Sequence, residues 1–95
     1  MAIGSAARRQ ERRPAVVDRF GAADMEAALD LLHLADMAWH DCYGPRDLAI
    51  PPDVVDDVLL CSEGDLRTLV HVALAAVVDF RDVRVAADQL RGGSR

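Results

Sequence analysis

The sequence predicts an all-α fold. Its frame is a long antiparallel helical hairpin, Ala23–Tyr43 against Glu63–Arg91, with a short connecting helix over 52–61. Three observations carry this. Apolar residues recur at helical spacing through two long stretches. No proline falls inside either stretch, and Gly44-Pro45 and Gly92-Gly93 stand at their ends as stops. The apolar mass is Ala, Val and Leu: the chain is 52% hydrophobic but only 4% aromatic, a composition suited to closely packed helices.

Residues 1–14 begin with small residues and then carry Arg8, Arg9, Arg12 and Arg13 against the single acid Glu11, a charge of +3. The remaining 15–95 hold 7 arginines and 15 acids, −8, which makes the chain total −5. The expectation is a flexible Arg-rich N-terminal arm, 1–14, on a single helical domain, 15–95. The four arginines are then candidates for binding a nucleic acid or an acidic partner. The acidic body disfavours nucleic acid as its own ligand. From Pro14 to Phe20 runs a short apolar piece closed by Gly21, too short for periodicity to choose between helical and extended chain.

Over Ala23–Tyr43, with Asp24 as N-cap, the residues from Met25 through Leu29, Leu32 and Trp39 to Tyr43 fill an apolar arc of about 220°, whereas one neighbour covers little more than about 100°. Arg46–Ile50 reads as a linker. Pro51-Pro52 opens the short helix, with Pro52 suited to its first position. Val54, Val55, Val58 and Leu59 are expected to point inward, and Asp53, Asp56 and Asp57 outward. Ser62-x-x-Asp65 has the form of a capping box. From there one helix of roughly 28 residues, about 42 Å long, is expected to run to Gly92. The apolar arc of its first half is again far wider than one neighbour can cover. Its second half narrows, with Arg84 and Asp88 spaced for an i, i+4 pair.

The strongest candidate for metal chemistry is His33, Asp36 and His40, with Asp30-x-x-His33 in the carboxylate–histidine spacing of di-iron bundles. These residues fall on the polar strip rather than inside, and aspartate replaces the longer glutamate. Zinc on His40, Cys42 and Cys61 is disfavoured because His40 and Cys42 point about 160° apart on one helix. Cys42 reads as a small core residue, and both cysteines as free thiols. His71 stands alone on its polar strip. No glycine-rich phosphate loop and no nucleophile elbow is present, so no catalytic residue, cofactor or resident metal is expected. The longest apolar run, Val72–Val78, is too short to span a bilayer, which makes a membrane partner unexpected and the cytoplasm the default location.

Two long helices and one short one cannot cover both wide arcs. A further neighbour is therefore expected, either a second copy of the chain completing a four-helix bundle or a larger protein subunit. The interface is expected at Leu31, Leu34, Trp39, Leu74, Val78 and Phe80. The functional expectation is a non-catalytic helical interaction module: an adaptor, accessory subunit or small regulator. Two alternatives stand beside it, a small metal- or ligand-binding bundle using His33, Asp36 and His40, and a nucleic-acid-associated regulator working through the arginine arm.

Overall fold

The first helix, α1 (Ala2–Tyr43), folds back on itself at Gly21, whose φ of 80° and ψ of 166° lie outside helical space. The structure is a computed structural model and describes residues 2–44 and 46–93. All its elements are helical: α1, α2 (Pro52–Ser62), α3 (Leu66–Asp88) and a last wide turn over Gln89–Gly93, with no strand among the described residues. The limbs 2–20 and 22–43 lie antiparallel: Arg8 reaches Asp36 while Arg13 reaches Glu26, so the partner's number falls as the arginine's rises. Glycine at position 21 supplies the positive φ that this reversal needs.

This corrects the expected flexible arm. The described part of residues 1–14 is helical and packed, and Pro14 sits within the limb without ending it. The undecided piece 14–20 is helical too, with Val16 and Phe20 buried. Arginine reads as a tail when its acidic partners are 13 to 28 residues away, because sequence spacing reports only local pairs.

The helix α2 starts where expected, with Pro52 in its first turn, and buries Val54, Val55, Val58 and Leu59. It ends on Glu63 and Gly64, both at positive φ (54° and 73°). That ending moves the start of the next helix. The Ser62 hydroxyl donates to the Leu59 carbonyl at 2.7 Å and caps nothing downstream. Asp65 is the N-cap instead, accepting from the Thr68 N–H at 2.9 Å. Its side chain also takes the Thr68 hydroxyl at 2.7 Å, and these two bonds hold the Asp65 carboxyl below its usual range.

The expected single long helix is broken. Asp79 has φ −157° and ψ 96°, and α3 divides there into limbs 66–78 and 80–88. His71, Val72 and Ala75 of the first limb share a cleft of about 270 Å³ with Val83 and Ala86 of the second. On a straight helix His71 and Ala86 would be about 22 Å apart, so the break reverses the chain. Asp79 caps the second limb, accepting from the Arg81 N–H at 3.1 Å. The Arg81 guanidinium folds onto the same carboxylate and holds its pKa below the ordinary value. The Val77 carbonyl, freed by the break, accepts the Tyr43 hydroxyl at 3.1 Å.

The expected antiparallel pairing of Ala23–Tyr43 with Glu63–Arg91 is likewise corrected. At one end Gly64 lies so close to Arg19 that a Cβ there would sit 2.5 Å from the Arg19 carbonyl oxygen. At the other end Tyr43 meets Val77. Limb 22–43 and limb 66–78 therefore run in the same sense, and the antiparallel neighbour of 22–43 is 2–20. The bundle measures 42 × 31 × 20 Å, and its short dimension is two helix diameters, so the limbs form two layers. The core between them gathers Val16, Leu29, Leu32, Trp39, Val58, Leu59, Leu69 and Val77. Ala28, Ala73 and Ala76, each buried, keep the limbs close.

Candidate interaction surface

Two buried aspartates fix the limbs on which the surface is built. Asp36, expected on a polar strip, is 2% exposed. It receives Arg12 through two bonds of 2.7 and 2.9 Å, Arg8 at 3.2 Å and the Ile50 N–H at 3.1 Å. Asp57, expected to point outward, is equally buried and receives Arg84 at 2.5 Å and Arg91 at 2.8 Å. Arg84 also reaches Asp53 at 2.7 Å, a bond that holds the Asp53 carboxyl below its ordinary value. The expected Arg84–Asp88 pair does not form. Arg84 turns to α2, and Asp88 pairs with Arg91. An isolated buried carboxylate would be very costly; two guanidinium partners offset that cost.

These contacts decide the sequence candidates for chemistry. All acceptor directions of Asp36 are taken by Arg8, Arg12 and the Ile50 amide. His33 is exposed beside it, lining a shallow hollow with Arg9 and Arg12. His40 turns to the linker, its Nδ1 3.2 Å from the Asp47 carbonyl, which requires the ring N–H at that nitrogen. His33, Asp36 and His40 thus have three different tasks, and no three His, Cys, Asp or Glu side chains are placed to hold a metal ion among the described residues. The arginines of the expected arm are turned onto acids of limb 22–43. Arg9 and Arg13 share Glu26, and these two hydrogen bonds, Arg9's the larger, hold its carboxyl below the usual range.

Both cysteines are free. Cys42 is exposed rather than in the core, although it stands only one turn from the buried Trp39. Cys61 is half-buried, and burial first, then the nearby Asp57 charge, pushes its thiol up. His71 is exposed and Asp82 lines the same cleft as Cys61.

The expected interface residues separate into two groups. Trp39 is buried, stacked on Tyr43 at 4.2 Å between ring centroids and 5.8 Å from Phe80, so it is core and not surface. Its indole N–H is buried with no hydrogen-bond partner among the described residues. Leu31 is half-buried against the core. Leu34, Leu74 and Val78 are 60, 62 and 76% exposed, and Phe80 lies at the boundary of exposure. Sequence reasoning missed Val70, Val85, Met37 and Leu90, all exposed as well. At the level of sequence Val70 belongs to the wide apolar arc of the first half of the long helix, and an arc alone does not tell which of its edges a neighbour leaves bare. Val70, Leu74 and Val78 follow one another at i, i+4 and i+8 and make a continuous apolar strip on limb 66–78.

No helix among the described residues is long and apolar enough to cross a membrane. The chain matches no protein-family model, and neither the curated proteins nor the solved structures contain a significant match to it.

Proposed function

We propose that the chain is a non-catalytic helical interaction module whose partner is a second copy of itself, joined through the apolar face that carries Val70, Leu74 and Val78. The observation that carries this reading is the exposure of Leu34, Leu74 and Val78 on helices whose opposite faces are fully buried. Area supports it. The accessible surface is 5948 Å², whereas a globular monomer of 10.3 kDa exposes about 5,400 Å². The surplus, about 500 Å², approaches the roughly 800 Å² that each partner contributes to a standard interface. Scattered exposed leucines are ordinary on a protein surface, and it is the regular strip together with the surplus of area that supports this reading.

Light scattering coupled to gel filtration tests it. At micromolar concentration the species should have twice the 10.3 kDa chain mass. The double substitution Leu74→Arg with Val78→Arg should weaken the dimer at least a hundred-fold, about 3 kcal/mol, while circular dichroism stays helical. A chain that remains monomeric up to millimolar concentration overturns the reading. Recovery only in a complex with a larger host protein would transfer the face to that partner.

A further inference from the structure

We propose that the two copies exchange their C-terminal limbs: residues 80–93 of each chain swing out about Asp79 and take the seat on α2 of the other. The inference rests on the self-association proposed above and adds how it is made.

The first observation is the nature of the break. The other tight reversals of the chain stand on residues at positive φ, Gly21, Gly44 and the Glu63–Gly64 pair. The break at Asp79 has no such residue, and no glycine or proline occurs anywhere from Leu66 to Leu90. Apart from Asp79 itself, the local sequence is that of a continuous helix. The reversal is also abrupt, since Asp79 is the only residue outside helical space between the two limbs. A connection this short between two docked elements favours exchange, because the open form relieves the turn while every docking contact can be remade in a second molecule.

The second observation is what the limb docks on. Val83 and Ala87 are buried, Arg84 binds Asp53 and Asp57, and Arg91 binds Asp57. If α3 straightens, this face of its own limb loses its seat. The α2 of another copy, with its Asp53 and buried Asp57, offers the same seat to these two arginines. Straightening also restores the helical bond from the Arg81 N–H to the Val77 carbonyl, groups now held by Asp79 and Tyr43.

The third observation joins the limb to the bare face. In the bent chain Val85 is exposed on one limb while Val70, Leu74 and Val78 are exposed on the other. At 100° per residue on a straight helix, these four side chains fall within about 80° of one another. Straightening thus gathers scattered apolar exposure into one stripe, and two such helices, one from each copy, can cover it mutually.

A disulfide reports the exchange. Cys61 and Val83 line one cleft, with the Cys61 sulfur 3.9 Å from the Val83 carbonyl oxygen, so Val83→Cys in a Cys42→Ser background brings a second thiol near the native one. Docking within one chain gives an intramolecular bond, whereas exchange gives a covalent dimer on a non-reducing gel. Two hinge variants move the balance in opposite directions. Asp79→Ala removes the cap acceptor and favours the straight helix, so the interchain product should rise at least ten-fold. Phe80→Pro suits the first position of the second limb and cannot continue a helix, so the interchain product should vanish. An intrachain bond in both variants up to millimolar protein overturns the exchange. If light scattering still gives a dimer in that case, the self-association survives without it. Should Val83→Cys or Phe80→Pro not fold, spin labels at positions 71 and 86 in a Cys42→Ser, Cys61→Ser chain, diluted into unlabelled protein, replace them. Exchange requires a population at the straight-helix separation of about 22 Å. A single short distance at every concentration overturns it.

Discussion

Replacing Asp36 by asparagine tests the claim that limb 2–20 is held by a buried charge. Asparagine keeps the shape of the side chain and an oxygen for the Ile50 amide, but it removes the charge and turns an amide N–H toward a guanidinium. Arg12 suffers most, since its side chain is only 10% exposed and both its bonds end on Asp36. Arg8 is about a quarter exposed, so water replaces part of what it loses. Breaking one partner of a buried pair costs about 3–5 kcal/mol. The access of water at Arg8 puts this case near the lower end, about 3 kcal/mol. Urea unfolding reads it. With a slope of about 1 kcal/mol/M for a chain this small, the midpoint should drop by about 2–3 M. The matched control is Asp30→Asn, which removes the partner of Arg9 from an aspartate that is 69% exposed and should leave the midpoint nearly unmoved. If the two variants unfold within about 0.5 M of each other, Asp36 does not anchor the limb and the account of the N-terminal fold is wrong.

Acid should weaken the fold in a defined window. Glu26, Asp53, Asp65 and Asp79 are held below their usual values of 4.5 and 3.8, so the unfolded chain takes up protons first as pH falls. Their contribution is complete above about pH 5 and is lost progressively below it; a urea midpoint that rises between pH 5 and pH 3 contradicts these pairings. Gly64→Ala brings a Cβ within 2.5 Å of the Arg19 carbonyl oxygen at a φ of 73° and should cost at least about 2 kcal/mol. Gly21→Ala meets nothing within 4 Å, but φ 80° with ψ 166° is backbone space nearly restricted to glycine, so it should cost about 1–3 kcal/mol; a Gly64→Ala chain that melts like the parent counts against the close approach. Thiol titration should modify Cys42 at least ten times faster than Cys61, and equal rates would show that the limb 80–88, packed over Cys61 at Val83, does not shield it.

What could be read from the sequence follows the range of the interactions. The short helix was legible to within a residue, because Pro51-Pro52 and the Val/Leu pattern are local signals. The end of α1 at Tyr43 was legible for the same reason, with Gly44 at φ 98° closing it. Ser62 looked like an N-cap, but Glu63-Gly64 ends one helix before Asp65 starts the next. The decisive signal was the glycine rather than the capping box. The break at Asp79 had no breaker residue to announce it. It is accompanied by a distant contact: Tyr43, 34 residues before Val77, takes up the Val77 carbonyl that the break sets free. The candidate site divides in the same way. The excess of apolar helix surface was visible from periodicity and leaves Leu34, Leu74 and Val78 exposed. The inward turn of Asp36 and Asp57 was not, because an aspartate on a helix reads as solvated unless its distant arginines are known.

The placement of Asp36 and Asp57 has a kinetic consequence. Each sits near the middle of the chain and waits for arginines about 24 to 34 residues away, Asp36 for Arg8 and Arg12, Asp57 for Arg84 and Arg91. Local helical turns and their greasy contacts form early, whereas ionic moorings of long loop length close late. Refolding should therefore pass from a collapsed bundle with two loose outer limbs to the finished molecule, and elevated salt should slow that last docking more than the collapse before it.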